Sequence, residues 1–223
     1  MFSDLRSFLD QLRRDRDLVE ISAPVDAKLE AAEIHRRVIA AGGPALLFTN
    51  VKGADFPLVT NLFGTARRAE LAFGTRPLAF IKRAVQRAET MMPVTPAKLW
   101  AARDVAFDLL KVGNRIVSSG PVRDVVTTDV RLDRLPIITC WPEDAGPFVT
   151  LPLVYTKHPD KGGHNIGMYR MQVYDQRSTG MHWQIGKGGG FHYAIAEARN
   201  EPLPLTVYLG GPAARVLSGV APL

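Results

Sequence analysis

The first twelve residues carry a hydrophobic pattern with the period of a helix. Leu5, Phe8, Leu9 and Leu12 recur at i, i+3, i+4 and i+7, which places them on one helical face. Ser3 precedes this run and is a candidate N-cap, because its hydroxyl can accept a hydrogen bond from the first turn. The spacing therefore predicts an amphipathic helix that begins after Ser3.

The next part of the chain alternates short apolar runs with a second helical pattern. Three short runs predict strands: LVEI (18–21), ALLF (45–48) and PLVT (57–60). Between the first two runs a further helical face is formed by Ala31, Ile34, Val38 and Ala41. Two or three further helices are expected within 65–111, where Pro93 and Pro96 separate two of them.

The hydrophobic period changes from helical to extended after about residue 114. Val, Thr, Ile and Tyr alternate with polar residues in PVRDVVTTDV, TLPLVYT, NIGMYRMQVYD, MHWQI and LPLTVYL. Only Tyr193 to Asn200 and Ala213 to Ser218 have a helical pattern there. The change predicts an α+β protein with an α/β domain over 1–114 and a β-rich domain over 115–223.

Composition narrows the classes of protein that fit this pattern. The net charge of +6 arises on helical stretches with interspersed acids and no interleaved aromatics, which favours solvated helices over nucleic-acid binding. The longest apolar stretches fall far short of the ~20 residues that span a membrane. A single cysteine excludes an internal disulfide and fits a reducing compartment. We expect a cytoplasmic protein without a membrane span or a nucleic-acid partner.

The densest group of candidate functional residues lies in NIGMYRMQVYD. In an extended strand Asn165, Gly167 and Tyr169 share one face, and Met168 and Arg170 the other. An Asn side chain can bind a hard cation or a phosphate, and an Arg guanidinium binds carboxylate or phosphate. The alternative is an ordinary strand with an exposed arginine and a turn asparagine.

A second candidate is the run Lys187 to Gly190 in MHWQIGKGGGFHYA. Glycines let backbone N–H groups approach a phosphate, and the lysine adds positive charge. The lysine precedes the glycines, so the run is not a P-loop. A flexible surface loop is the alternative.

Histidine, cysteine and tryptophan residues add weaker signals. His182 and His192 lack the spacing of a zinc site, and His182 is expected to pack within a strand. Cys140 is expected to be a small buried apolar residue. Trp183 is expected either in the core or in the wall of a pocket for a flat ligand.

In combination and in order, these segments resemble the UbiD family of decarboxylases. Thr150, NIGMYRMQVYD, MHWQIGKGGG and EPLPLTVYLGGPAA resemble the flavin-binding region of that family. Three segments of the first half resemble the N-terminal domain of that family: LRSFLDQLRRDRDLVEISAPVD, AAEIHRRVIAAGGPALLFTNVKG and FPLVTNLFG. The resemblance covers essentially the whole chain. It implies an N-terminal α/β domain (1–114) followed by an incomplete antiparallel split β-barrel flavin-binding domain (115–223).

The resemblance also implies a cofactor and its ligands. The cofactor would be prenylated FMN, with a manganese ion bound by Asn165 and potassium as a second candidate ion. Arg170 would be the catalytic arginine that orients the substrate carboxylate. The residues implied to bind the cofactor are Thr150, Asn165, Met168, Tyr169, Arg170, His182, Trp183, Gln184, Lys187 and Gly188.

The implied reaction is the reversible, non-oxidative decarboxylation of an aromatic or α,β-unsaturated carboxylic acid. The implied partners are that small-molecule acid, a flavin prenyltransferase that supplies the cofactor, and further copies of the same chain. A non-catalytic flavin-binding accessory subunit, a flavin reductase and a degenerate fragment are the alternatives.

The sequence departs from the family pattern in two places. Gly186 stands where many members carry a histidine that helps to hold the metal. The family continues beyond a length of 223 residues, and there it carries a glutamate metal ligand and its proton-donating acids. This chain therefore resembles the N-terminal portion of a longer enzyme.

Overall fold

A computed structural model describes residues 2–74, 95–101, 117–184 and 186–220, together with single positions and pairs between 79 and 107. By their contacts the residues form two compact units, one of Met1–Ala72 with Val130–Leu223 and one of Phe73–Asp129. The domain boundary at residue 114 stays a prediction. None of the described helices is long and apolar enough to cross a bilayer.

The chain opens with helix α1 (Leu5–Arg14), which buries Phe8 and Leu12. Its cap is Asp4, whose carboxylate accepts the Ser7 N–H at 2.7 Å. The prediction of a Ser3 cap is therefore wrong by one residue. The Ser3 hydroxyl donates instead to Asp4, because the helix starts at Leu5 and the carboxylate reaches the first turn better.

A three-stranded sheet follows α1, and its strands confirm the three short apolar runs. Strand β1 (Leu18–Ile21) pairs in parallel with β2 (Ala45–Phe48), and β2 pairs in antiparallel with β3 (Leu58–Thr60). Helix α2 (Glu30–Ala40) connects β1 to β2, and α3 (Ala66–Phe73) follows β3.

The second unit contains helix α4 (Pro96–Ala101) and a 3₁₀ turn (Pro121–Arg123). With α3, this gives two of the helices expected within 65–111, and Pro93 lies outside the described residues. The strand predicted for PVRDVVTTDV is wrong. All of residues 121–130 are exposed, so within the described part of the chain their valines have no strand or core to pack against.

The β-rich part forms two three-stranded antiparallel sheets. One has the order β4-β7-β8 (Phe148–Val149, Met171–Val173, Thr179–Met181). The other has the order β6-β5-β9 (His164–Met168, Pro152–Lys157, Leu205–Leu209). NIGMYRMQVYD is thus divided at Tyr169 and Arg170 between the two sheets. Among the described strands no closed barrel is formed, and the split barrel stays a prediction.

Two helices complete the β-rich part. Helix α5 (Gly188–Ala198) begins five residues before the predicted start at Tyr193, and α6 (Ala213–Ser218) matches its prediction. The early start of α5 escaped the pattern because glycine is a poor helix former.

The two ends of the first unit share one core. Ala213 of α6 is fully buried in a cluster with Phe8, Leu12, Ala45 and Leu62. Between the same parts of the chain, Thr139 exchanges backbone hydrogen bonds with Leu29 and Ala27 at 3.0 and 3.1 Å. These contacts join α6 and the segment before β4 to the N-terminal part of the same unit.

Candidate functional site

The N-terminus of α5 approaches strand β6 so closely that a Cβ atom there would force neighbouring side chains to move. A Cβ atom on Gly188 would lie 2.6 Å from the side-chain oxygen of Asn165. On Gly189 it would lie 2.7 Å from both the Tyr169 hydroxyl and the Trp183 ring. The glycines thus bring the first turn of the helix against Asn165 and Tyr169, and we call these four residues the glycine cradle.

The hydroxyl of Tyr169 is the hydrogen-bonding centre of the glycine cradle. It accepts the Gly189 N–H at 2.9 Å and the Asn165 side-chain N–H at 3.2 Å. Tyr169 is buried, with 2% of its surface exposed, so the bond with Gly189 is shielded from water and the bond with Asn165 is partly shielded. Tyr169 therefore fixes the Asn165 amide and the first turn of α5 relative to one another.

Aromatic rings extend from the glycine cradle along α5. Trp183 meets Tyr169 edge to face, with ring centroids 4.9 Å apart, and stacks on Tyr193 at 5.7 Å. An open cavity of about 530 Å³ lies beside Trp183 and Tyr193. Its lining combines aromatic side chains with the basic glycine loop: Trp183, Gln184, Gly186, Lys187, Gly188, Gly190, Phe191, Tyr193 and Ala194.

The start of α5 is suited to an anion. In the described part of the chain the N–H groups of Gly188 and Gly190 have no hydrogen-bond partner, as is normal for a first helical turn. The helix dipole adds positive potential there, and Lys187, at the N-cap position, adds a full charge. A phosphate is the ligand that such a helix start favours.

Arg170 forms a separate charged group. Its Nη2 donates to both carboxylate oxygens of Asp144, at 3.0 and 2.9 Å, and its guanidinium lies 3.6 Å from the centre of the Phe148 ring. Partial burial acts to raise the pKa of Asp144, but the hydrogen bonds and charge of Arg170, together with the backbone N–H groups of Cys140 and Trp141, outweigh it, so that pKa lies below its usual range. Asp144 was not predicted from the sequence, where its signal was an acid in the Pro-Glu-Asp-Ala-Gly turn before β4.

The structure brings together six of the residues implied to bind the cofactor: Asn165, Tyr169, Trp183, Gln184, Lys187 and Gly188. Four of these six line the cavity, whereas Asn165 and Tyr169 contact the start of α5 outside its lining. The lining also does not include Thr150, Met168, Arg170 or His182. Phe191 and Tyr193 line the cavity but were not predicted, although two aromatic residues directly after a glycine run were a usable signal.

Two expectations about packing need correction. His182 is exposed and follows the end of β8, so the prediction that it packs within a strand is wrong. Cys140 is half-buried instead of buried. Burial raises the pKa of its thiol, and the nearby Asp144 carboxylate raises it further.

The described residues do not supply a ligand set for manganese. Among them no three His, Cys, Asp or Glu side chains cluster around a possible ion. Gly186, where many family members carry a histidine, has a φ of +86°, a left-handed conformation that favours glycine. Manganese and potassium, with Asn165 as a ligand, stay predictions.

A buried pair anchors α5 to the sheet behind the cavity. The Thr156 hydroxyl of β5 lies 2.9 Å from Nδ1 of His192, and both side chains are buried. Burial lowers the pKa of His192, and the neighbouring His158 lowers it further. Folding therefore favours the neutral form of His192 over the protonated form.

This pair predicts a loss of stability in mild acid. The unfolded chain protonates His192 near its usual pKa of ~6.5, whereas the folded chain resists protonation to a lower pH. The free energy of unfolding should therefore fall as pH drops below ~6.5. Urea titrations at pH 7.5 and 5.5 should show a smaller fall for His192→Gln than for the parent chain. Equal falls in both proteins would show that His192 does not contribute.

Two family models match the chain. The N-terminal domain of 3-octaprenyl-4-hydroxybenzoate carboxy-lyase matches residues 9–88, and the Rift-related domain of that carboxy-lyase matches residues 115–223. A relative from Chlamydia pneumoniae, named as a subunit of 4-hydroxybenzoate decarboxylase, is 43% identical over 99% of this chain and 38% of its own length.

Solved structures share the fold. The vanillic acid decarboxylase of Sedimentibacter hydroxybenzoicus in closed form has a TM-score of 0.81 at 22% identity, over 100% of this chain and 46% of that chain. A second structure is an evolved dimeric form of the UbiD-class enzyme HmfF from Pelotomaculum thermopropionicum in complex with prFMN. Its TM-score is 0.75 at 24% identity, over 95% of this chain and 45% of that chain.

These matches confirm the mixed α+β fold and the resemblance on which the implied site rests. The chain spans less than half the length of each of these relatives. Because the family models match 9–88 and 115–223, and the curated relative is 43% identical across nearly the whole chain, this chain belongs to the UbiD family.

Proposed function

We propose that this chain is the cofactor-binding part of a decarboxylase that acts on aromatic or α,β-unsaturated carboxylic acids with prenylated FMN. The observation that supports this proposal most is the glycine cradle beside an aromatic cavity of about 530 Å³. A flavin mononucleotide needs both an anion site for its phosphate and a flat apolar surface for its ring system. The relative solved with prFMN adds support at the level of the shared fold.

Different residues at the start of α5 and in the cavity would bind the phosphate and the ring system of the cofactor. Lys187 and the free N–H groups of Gly188 and Gly190 suit the phosphate. Trp183 and Tyr193, whose rings already stack at 5.7 Å, offer a flat surface for the ring system. When bound, prenylated flavin supplies the electron sink that the loss of CO₂ requires.

Arg170 would bind the substrate carboxylate. Its side chain is 42% exposed, and its Nη2 is the nitrogen that pairs with Asp144. Nε and Nη1 have no hydrogen-bond partner in the described part of the chain, so a carboxylate can still bind there. The guanidinium would fix the orientation of the acid relative to the cofactor.

A flavin-binding part without its own proton donor is the second candidate. The carboxyl group that contacts Arg170 is Asp144, and its pKa lies below its usual range. A general acid needs a pKa near the working pH, so Asp144 is unsuited to that task. In this case the acid would come from another part of the polypeptide or from a second subunit.

Several features implied by the sequence stay predictions: the manganese or potassium ion, supply by a flavin prenyltransferase, self-association and a cytoplasmic location. All ten residues implied to bind the cofactor also stay proposals, and four of them line the cavity: Trp183, Gln184, Lys187 and Gly188. A carboxylic acid is the proposed substrate class.

Tyr169→Phe is expected to weaken flavin binding about tenfold. The change removes the oxygen that the Gly189 and Asn165 N–H groups share, at a cost of about 1–3 kcal/mol, mainly because the buried Gly189 N–H is left unpaired. The test is a fluorescence titration of FMN with the chain. Tyr174→Phe is the control, because the Tyr174 side chain is 65% exposed. Equal binding by both variants would contradict the role of Tyr169, and no FMN binding by the parent chain would contradict the proposed function.

A further inference from the structure

Asp144 is held in place by the backbone around it. Its carboxylate accepts the N–H groups of Cys140 and Trp141 at 3.2 and 3.3 Å. Its side chain is only 12% exposed, although it belongs to a turn. An acid at the surface of a turn would normally be solvated, so this carboxylate is unusually well fixed.

Arg170 is fixed in turn by two contacts of different kinds. The Asp144 carboxylate binds its Nη2, and the Phe148 ring lies beneath the guanidinium at 3.6 Å. The carboxylate sets the position of one nitrogen, and the ring sets the plane of the group. An exposed arginine loses most of its conformational freedom in such an arrangement.

We propose that Asp144 is a positioning residue for Arg170, which it holds with Nε and Nη1 open to receive the carboxylate of an aromatic acid. The proposal deepens the proposed function and rests on it for the identity of the ligand. The Asp144 carboxylate also lowers the net charge beside Arg170. Asp144 therefore orients the Arg170 guanidinium, but its negative charge weakens the attraction of Arg170 for anions in general.

The effect of Asp144→Asn on carboxylate binding depends on whether Asp144 acts by orienting Arg170 or by reducing its attraction for anions. If attraction alone mattered, removing the negative charge would strengthen carboxylate binding, because Arg170 would be left with its full charge. If orientation matters, binding weakens because asparagine keeps only one of the two oxygens that bind Nη2 and places an NH2 donor against the guanidinium, which loosens its position. Asparagine keeps a side-chain oxygen for the Cys140 and Trp141 N–H groups, so the turn should retain its fold.

Cys140 offers a direct report on this charged group. It is the single cysteine of the chain, so a thiol reagent reacts at this one position. The negative charge of Asp144 raises the pKa of its thiol, and the positive charge of Arg170 lowers it. Asp144→Asn should therefore lower the thiol pKa and Arg170→Gln should raise it. Asp160→Asn, which removes a carboxylate paired with Arg199 at 2.6 Å, is the matched control and should leave it unchanged.

The decisive experiment adds benzoate during the thiol titration and uses no flavin. In the parent chain, benzoate bound at Arg170 should raise the pKa of the Cys140 thiol to a saturable limit. In Asp144→Asn we expect the benzoate concentration at half-saturation to rise about tenfold or more. An unchanged or lower half-saturation in Asp144→Asn would overturn the proposal, as would a parent chain that does not respond to benzoate.

The outcome separates this proposal from the proposed function. A benzoate response that depends on Asp144, in a chain that does not bind FMN, would support the positioning role and contradict the cofactor role. FMN binding without a benzoate response would support the cofactor role and contradict the positioning role.

Discussion

Arg68→Ala is expected to lower the free energy of unfolding by about 3–5 kcal/mol, because it leaves a partly buried carboxylate without its partner. Arg68 lies in α3 with only 1% of its surface exposed. Its Nη1 donates to Asp17 at 2.6 Å, just before β1, and its Nη2 donates to the Gly43 carbonyl at 3.2 Å, just before β2. One side chain thus joins α3 to the starts of two parallel strands.

The neighbouring arginine provides the control for this prediction. Arg67 also pairs with an aspartate, Asp15, at 3.2 Å, but its side chain is 68% exposed. Exposed pairs contribute about 0–1 kcal/mol, so Arg67→Ala should change stability little. Urea denaturation followed by circular dichroism measures both variants. Similar losses of unfolding free energy for the two variants would show that burial does not determine how much the Arg68–Asp17 pair contributes to stability.

Gly189→Ala is expected to abolish flavin binding and to lower the free energy of unfolding by about 1–3 kcal/mol. Its Cβ would lie 2.7 Å from the buried Tyr169 hydroxyl and 2.7 Å from the Trp183 ring, so either the helix or both aromatic residues must move. Alanine forms helix better than glycine by about 1 kcal/mol, but this gain is smaller than the cost of the clash and of the lost Gly189–Tyr169 hydrogen bond.

Gly163→Ala is the matched control for Gly189→Ala. A Cβ there would have no heavy atom within 4 Å, and the residue lies in the exposed turn between β5 and β6. We expect stability within about 0.5 kcal/mol of the parent chain and unchanged FMN binding. Tight FMN binding by Gly189→Ala would show that the helix start need not approach Tyr169, which contradicts the cradle.

The N-terminal sheet could be predicted from sequence because its signals are local. LVEI and ALLF are short apolar runs that become β1 and β2 at the predicted residues. By contrast, the valines and threonines of 121–130 carry a similar local signal and form no strand. A strand needs a partner as well as a pattern, and residues 121–130 are all exposed.

The candidate site could be predicted only in part, because its decisive contacts are distant in sequence. The resemblance implied roles for Asn165, Tyr169 and Lys187, but not the hydrogen bond from Gly189 to Tyr169, 20 positions away. The pair of Arg170 with Asp144 spans 26 positions and leaves no periodic signal. The early start of α5 is likewise set by packing against Tyr169, since its glycines disfavour a helix.

The cofactor site is tested most sharply by a native mass and an absorbance spectrum of the chain after co-expression with a flavin prenyltransferase. We predict a bound prenylated flavin in the parent chain and in Gly163→Ala, and its loss in Gly189→Ala, where the cradle is blocked. A parent chain that folds but carries no flavin would contradict the proposed function. Flavin retained in Gly189→Ala would contradict the location of the site.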